Sequence, residues 1–339
     1  MKAIYVLIVL ALSSCIPEES PVSPKDRGDL QSGYMEESIY DYQGFFDLSS
    51  NKFVSYNLKG SWDLAFDCNN NFIIMNGARP VKSAYVNTYD FEFLTDKNEP
   101  DSLYIDEPNG DLSKSAFGQW WIDQSGNEIK KSKVFYIDRG RDERRRPLGI
   151  YKFQIIDWDE NSFTFKYSNV KKLDDVFTKT IQKVDNYNFV YFNFSTPDDE
   201  IIVEPFNNEW DLLFTENTEY VPLNAIGQSE EEDAIPYQVR GVYLNPNMVE
   251  AVEFKNPDKI DFNALNRDDV SDLEFSKNLN VIGYDWKNFS LQGEVYAVDP
   301  NRIYIIKDTD GFIFKFRFIS FFNAKDGARG FTSFELQQL

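Results

Sequence analysis

The side chains able to do chemistry are few in kind, because the 339 residues include no histidine. That absence removes the commonest general base, the commonest transition-metal ligand and every Ser-His or Cys-His nucleophile pair. Of the two cysteines, Cys15 and Cys68, the second has no partner in the chain once Cys15 is consumed as argued below. A lone thiol of this kind reads as a small core residue. Arg139, Arg141, Arg144, Arg145 and Arg146 could dock an acidic group, but Asp142 and Glu143 interrupt them and the stretch reads as a solvated loop. Asp308-Thr309-Asp310-Gly311 starts like a calcium loop, lacks the later acidic positions and reads as a hairpin turn. Trp120-Trp121 offers a stacking platform for a sugar, against the competing reading of buried aromatic core. The 56 acidic residues provide carboxylate pairs everywhere, with no spacing that singles one out. No activated nucleophile or tuned acid-base pair can be named, so a binding protein is expected and an enzyme is not.

The amino terminus bears on where such a protein works. Residues 1–14 hold one lysine, an apolar run too short to span a bilayer, and two serines, which is the pattern of a signal peptide. Leu12-Ser13-Ser14-Cys15 resembles the lipobox of bacterial lipoproteins, which implies cleavage before Cys15 and its acylation as a lipid anchor. Glu18 and Glu19 follow closely and resemble the export signal of lipoproteins displayed outside the outer membrane. The expected location is therefore the outer membrane, lipid-anchored and facing the cell exterior. Residues 15–39, with several prolines, serines and charges, are expected to form a flexible tether.

The remainder must build the scaffold. Its length predicts two domains, each able to bury a core without disulfides. Aromatic residues are 16% of the chain, including 30 Phe and 19 Tyr, and that bias favours sheets. A formal charge of −21 repels a phosphate backbone, so no nucleic-acid partner is expected.

One short stretch occurs twice. Trp62-Asp63-Leu64-Ala65-Phe66 is followed by Asn76, and Trp210-Asp211-Leu212-Leu213-Phe214 is followed by Asn224 at the same spacing. Each copy opens a strand-rich half that closes on an aromatic hairpin. In the second half Phe312, Phe314, Phe316 and Phe318 alternate with Ile313, Lys315, Arg317 and Ile319 after an Asp-Gly turn. In the first, Ile150–Ile155 and the alternating Phe163–Tyr167 take the same places. Asp174–Ile181 could be a short helix or a first strand, and residues 258–266 a second short helix. The expectation is an all-β chain of two tandem antiparallel β-sandwich-like domains, residues 40–174 and 175–339.

Tyr191-Phe192-Asn193-Phe194, Trp210-Asp211, Tyr304-Ile305-Ile306-Lys307, Asp310-Gly311, Phe314-Lys315-Phe316 and Gly330-Phe331-Thr332-Ser333-Phe334-Glu335 occur in an order that resembles the HmuY family of haem-binding surface lipoproteins. Trp62-Asp63, Asn76-Gly77 and Tyr151-Lys152-Phe153 look like a more degraded second copy. The resemblance implies haem as the ligand, captured for a TonB-dependent outer-membrane receptor or other barrel protein. The founding type ligates iron through two histidines, which this chain lacks, while some relatives use methionines. Met248 and Met75 are then the ligand candidates, and Met35 stands apart at the end of the tether. The alternatives are an accessory lipoprotein of an outer-membrane barrel complex that has lost haem, and a glycan-binding module.

Overall fold

The structure, a computed structural model, describes residues 28–223, 233–246, 248–255, 260–290, 295–299 and 301–339. The signal segment, Cys15 and Asn224 lie outside the described residues. The regular secondary structure of the described chain is almost entirely strand. The first half runs β1 (Gln31–Tyr34), β2 (Tyr42–Asp47), β3 (Lys52–Leu58), β4 (Leu64–Asp67), β5 (Ile73–Met75), β6 (Lys82–Val86), β7 (Val134–Asp138), β8 (Ile150–Trp158) and β9 (Ser162–Asn169). Then come β10 (Phe177–Gln182), β11 (Phe189–Phe192), β12 (Leu212–Pro222), β13 (Ala234–Leu244), β14 (Glu250–Phe254), β15 (Lys287–Ser290), β16 (Val295–Val298), β17 (Ile303–Lys307), β18 (Ile313–Phe322) and β19 (Arg329–Gln338). Asp174–Ile181 resolves as strand β10, and no helix forms over described residues 260–266, where Asp261 caps a turn by accepting from the Asn263 amide at 2.8 Å.

Two five-stranded sheets share one plan, with strand orders β6-β7-β8-β9-β10 and β14-β17-β18-β19-β1. Two smaller sheets lie inside them, β5-β4-β11 and β13-β12-β2-β3. All the pairings are antiparallel. The two-residue period of a strand explains the layering. Leu64 and Phe66 point one way, into a core with Phe153, Phe163 and Phe165. Leu212 and Phe214 point into a matching core with Phe316, Phe318 and Phe334. The residues between them, Ala65 and Leu213, face the opposite side and meet in a central cluster with Phe45, Trp62, Phe189 and Trp210. The result is four layers, in which the two inner sheets turn their second faces toward each other. At about 1.5–3 kcal/mol per fully buried large apolar side chain, the paired aromatic cores dominate the folding free energy.

Pairing runs across residue 175, where the division between halves is expected. β2 pairs with β12, and β11 pairs with β4. β1 pairs with the C-terminal β19, and β10 pairs with β9 from Phe177↔Tyr167 to Gln182↔Ser162. The first two strands of each half therefore complete sheets built mainly from the other half, or from the half just ended. This corrects the expected tether of 15–39: Gly28 already donates to Gln338 O at 3.1 Å, β1 is a strand, and Met35 and Ile39 are fully buried.

The two Trp-Asp strands have matching surroundings. Leu64 pairs with Phe192 and Met75, and Leu212 pairs with Phe46 and Leu244. Asn76 donates its side-chain amide to the Lys59 and Trp62 carbonyls, both at 2.8 Å. In the second half that role belongs to Asn245, which donates to Asn207 O at 2.6 Å and Trp210 O at 2.7 Å. The match to Asn224 by equal spacing is thus replaced by Asn245, because the β12–β13 hairpin is much longer than β4–β5. Two buried lysines also correspond. Lys152 donates to Phe91 O at 3.1 Å and lies over the Phe91 ring, while Lys315 donates to the Phe262 and Leu265 carbonyls and lies over the Phe262 ring.

Candidate functional site

A cavity of about 480 Å³ opens between the two inner sheets, within the size range of small-molecule sites. Matching positions of the two halves line it: Phe45 and Tyr191, Trp62 and Trp210, Ile74 and Tyr243, Met75 and Leu244. These side chains reach it because they alternate with residues committed to the outer cores. Trp62 and Trp210 are buried with no acceptor for either indole N–H. Two orphaned donors beside one cavity are costly unless a guest supplies acceptors.

Two loops close the cavity, each entered through an isolated bridge to the first strand of an outer sheet: Ser83↔Tyr104 in one, Ala251↔Ser276 in the other. Residues 105–112 follow the first bridge and residues 277–279 the second. The longer loop is tied down at both ends of Asp106, whose Oδ2 accepts from Met75 N at 2.6 Å and whose Oδ1 accepts from Ala116 N at 2.8 Å. Its far side reaches the other half, where Asn109 O accepts from Leu279 N at 2.8 Å. Gly110, at φ 84°, sits so close to Leu279 that a Cβ would lie 2.4 Å from Leu279 Cγ. Only glycine meets both conditions.

The lining is acidic. Asp106, Glu107, Asp111, Glu204 and Glu216 line it, and Lys277 is the one cation among the described lining residues. Glu216 is ion-paired with Lys59 and, at 2.6 Å, with Arg240. Burial pushes the Asp106 carboxyl up to about 6 and that of Glu204 up to about 7, against the amides that hydrogen-bond them. Burial also raises the Tyr191 and Tyr243 phenols well above their ordinary value, so both are neutral in the unliganded protein. Lys277 is more exposed and pairs with Glu250 at 3.6 Å. A second cavity, of about 340 Å³, shares Phe189, Tyr191 and Glu204 as its wall.

The candidate residues from sequence are scattered. Met75 lines the cavity, but its side chain packs in the outer core beside Leu64 and Phe66. Met248 is exposed, two residues past the lining residue Pro246, and Met35 is core. Cys15 lies outside the described residues. Trp120 is buried against Trp158 and Phe163, with its indole N–H on Asn71 O at 2.8 Å, so the Trp120-Trp121 sugar platform does not form. The arginine stretch is divided: Arg139 is buried on Asp63 at 2.9 Å, while Arg146 pairs with Asp142 at the surface. Asp308 caps its own hairpin, accepting from the Asp310 and Phe312 amides. Tyr191, Tyr243, Lys277 and residues 105–112 escaped sequence reasoning. The available signal was the unusual length of the β6–β7 connection, since long structured loops tend to be functional.

A sequence profile of the family described as HmuY protein matches residues 185–336. Residues 185–336 carry a HmuY-family domain. The match covers the half that contains the second Trp-Asp strand and the terminal hairpin, and with it the all-β expectation holds. No curated protein matches the chain. Among solved structures, the apo HmuY analog TFO of Tannerella forsythia is similar at 9% identity and a TM-score of 0.32, over 92% of this chain and 98% of that one. Apo PinO of Porphyromonas gingivitis is similar at 10% identity and a TM-score of 0.26, over 92% and 97%. Both scores are low, and the family assignment rests on the sequence profile. Among the described residues, no helix is long and apolar enough to cross a membrane, and no group of three His, Cys, Asp or Glu side chains could hold a metal ion.

Proposed function

We propose that this chain is a surface lipoprotein that captures haem and passes it to a TonB-dependent outer-membrane receptor, anchored through acylated Cys15. It acts as a binding protein, with haem as its cargo. The observation that carries this reading is the cavity of about 480 Å³ walled by Trp62, Trp210, Phe45 and Tyr191. Such walls suit a flat apolar macrocycle, and the indole N–H groups of Trp62 and Trp210 have no acceptor within the protein. Iron coordination contributes little, since Met75 is the one soft donor in the lining and it is partly committed to the core. Titrating the purified protein with haemin tests the reading: a saturable Soret shift is expected, and a flat titration removes it.

One observation favours a second reading. Even with Glu216 ion-paired and burial pushing Asp106 and Glu204 toward their neutral forms, Glu107 and Asp111 outnumber the one lysine and make the lining a poor host for a dianion. An accessory lipoprotein of an outer-membrane barrel complex would keep the fold without haem. Co-purification with a barrel protein in the absence of any chromophore separates the two.

A further inference from the structure

We infer that the cavity is a single composite site that takes one ligand per chain, in one orientation, with the anionic edge of a planar apolar ligand at Lys277. The inference rests on the ligand-capture reading above and specifies how that site is built.

Neither half can form the cavity alone. Residues 185–336, which the family profile covers, supply Tyr191, Trp210 and Tyr243. Phe45, Trp62 and Ile74 come from outside that span. The strand exchange makes the dependence mutual: Phe45 is held in place by pairing with Leu213, and Tyr191 by pairing with Ala65. Deleting either half removes a strand from both walls.

A site astride two equal halves would accept a ligand in two equivalent orientations. Here the closing loops break the equivalence. Lys82↔Asp138 and Glu250↔Lys307 occupy matching places in the outer sheets, so the bridges at Ser83 and Ala251 match as well. Counting on from Tyr104 and Ser276 places Ile105-Asp106-Glu107 opposite Lys277-Asn278-Leu279. The rims meet where Asn109 O accepts from Leu279 N, and Glu107 reaches across this seam toward Glu219 and Tyr220, so the contrast lies between Asp106 on the first rim and the Lys277 ammonium group on the second. Asp106 is fixed by two backbone amides and cannot swing away, whereas Lys277 has one loose partner in Glu250 at 3.6 Å. A ligand with carboxylates on one edge meets repulsion at the first rim and attraction at the second.

The test compares haemin with haemin dimethyl ester, which lacks the charges, on the full chain. Binding is followed by tryptophan quenching and absorbance. The expected stoichiometry is one to one for both. Leu112→Trp fills the cavity from one half and Leu213→Trp from the other, and each should abolish binding in a chain that still unfolds cooperatively, the second with a lowered midpoint because Leu213 also packs in the central cluster. Both residues are only half-buried lining positions, so added bulk enters the void. Lys277→Glu should weaken haemin at least tenfold and the ester less than twofold. Two ligands per chain, a filling variant that folds and still binds, or an equal effect of Lys277→Glu on both ligands would overturn the inference while leaving haem capture standing. If neither ligand binds the unaltered chain, both fall.

Discussion

Asp63 and Asp211 occupy matching positions beside the two tryptophans and are neutralised by different means. Each accepts one backbone amide from the strand alongside, Phe194 N at 2.9 Å and Leu48 N at 2.8 Å. Beyond that, Asp63 is ion-paired with Arg139 at 2.9 Å and Arg79 at 3.1 Å, whereas Asp211 accepts only a second amide, Thr309 N at 2.9 Å. Removing Arg139 breaks the more deeply buried of the two ion pairs and leaves the carboxylate with Arg79 and the Phe194 amide. Arg139→Ala should therefore destabilise the protein by about 3 kcal/mol, the low end for breaking a buried pair. A denaturant midpoint unchanged from the parent would contradict this.

Asp211 follows the opposite logic. With no cation at hand, burial pushes its carboxyl up to about 7, as it does those of Glu204 and Glu219, and that of Asp106 to about 6. Between an unfolded value near 4 and these folded values, the folded state holds more protons. Stability is thus fully present below the unfolded value and declines as pH rises through 6–7, by about 1.4 kcal/mol per pH unit for each uncompensated group. The unfolding midpoint should be higher at pH 5 than at pH 8, and Asp211→Asn should flatten part of that slope. A midpoint that rises toward pH 8 would refute the assignment.

The lysines beneath the outer sheets should act as matching clasps. Lys152 and Lys315 hold the loops at Phe91 and at Phe262 and Leu265 through backbone carbonyls. Replacing either with Met keeps the volume and strands those carbonyls, at about 1–3 kcal/mol. Hydrogen exchange should accelerate around residues 91–94 for Lys152→Met and around 260–271 for Lys315→Met. Exchange that is uniform across both loops would show that the clasps are not local.

Methionine substitution separates wall contacts from iron coordination. Met75→Leu should alter the Soret band of the haemin complex while lowering affinity less than tenfold. Met248→Ala, at an exposed position, should leave both unchanged. Loss of the Soret shift in the Met248 variant alone would move the ligand to the surface.

Cys68 should be inert. Burial raises its thiol to about 11, so little thiolate is present near neutrality. In a soluble form carrying Cys15→Ser, a thiol reagent at pH 8 should react at least tenfold more slowly with half-buried Cys68 than with the unfolded chain. Immediate stoichiometric labelling would argue against the burial.

Much of this architecture was legible in the residues. Phe314, Phe316 and Phe318 alternate with polar neighbours, and the structure places all three in one core. A period of two fixes which face a residue takes but says nothing of the partner strand. For that reason the pairing of β2 with β12 and of β11 with β4 could not be read from the chain, nor could a cavity whose walls depend on it. Lys315 lies on the alternating polar face and is nonetheless fully buried, because a loop from residues 261–265 folds over it. The Asn76 counterpart was misplaced because equal spacing was used where strand ends were the better guide: both asparagines directly follow a strand paired with a Trp-Asp segment.

The pairing of β1 with β19 has a bearing on biogenesis. Gln31 meets Leu336, so the first described strand has no hydrogen-bonding mate until about 300 further residues have been made. Contacts of such sequence separation are slow to form. The β6–β10 meander, by contrast, pairs only with its own neighbours in sequence, so it can set first and the sheet that holds β1 is the last to lock.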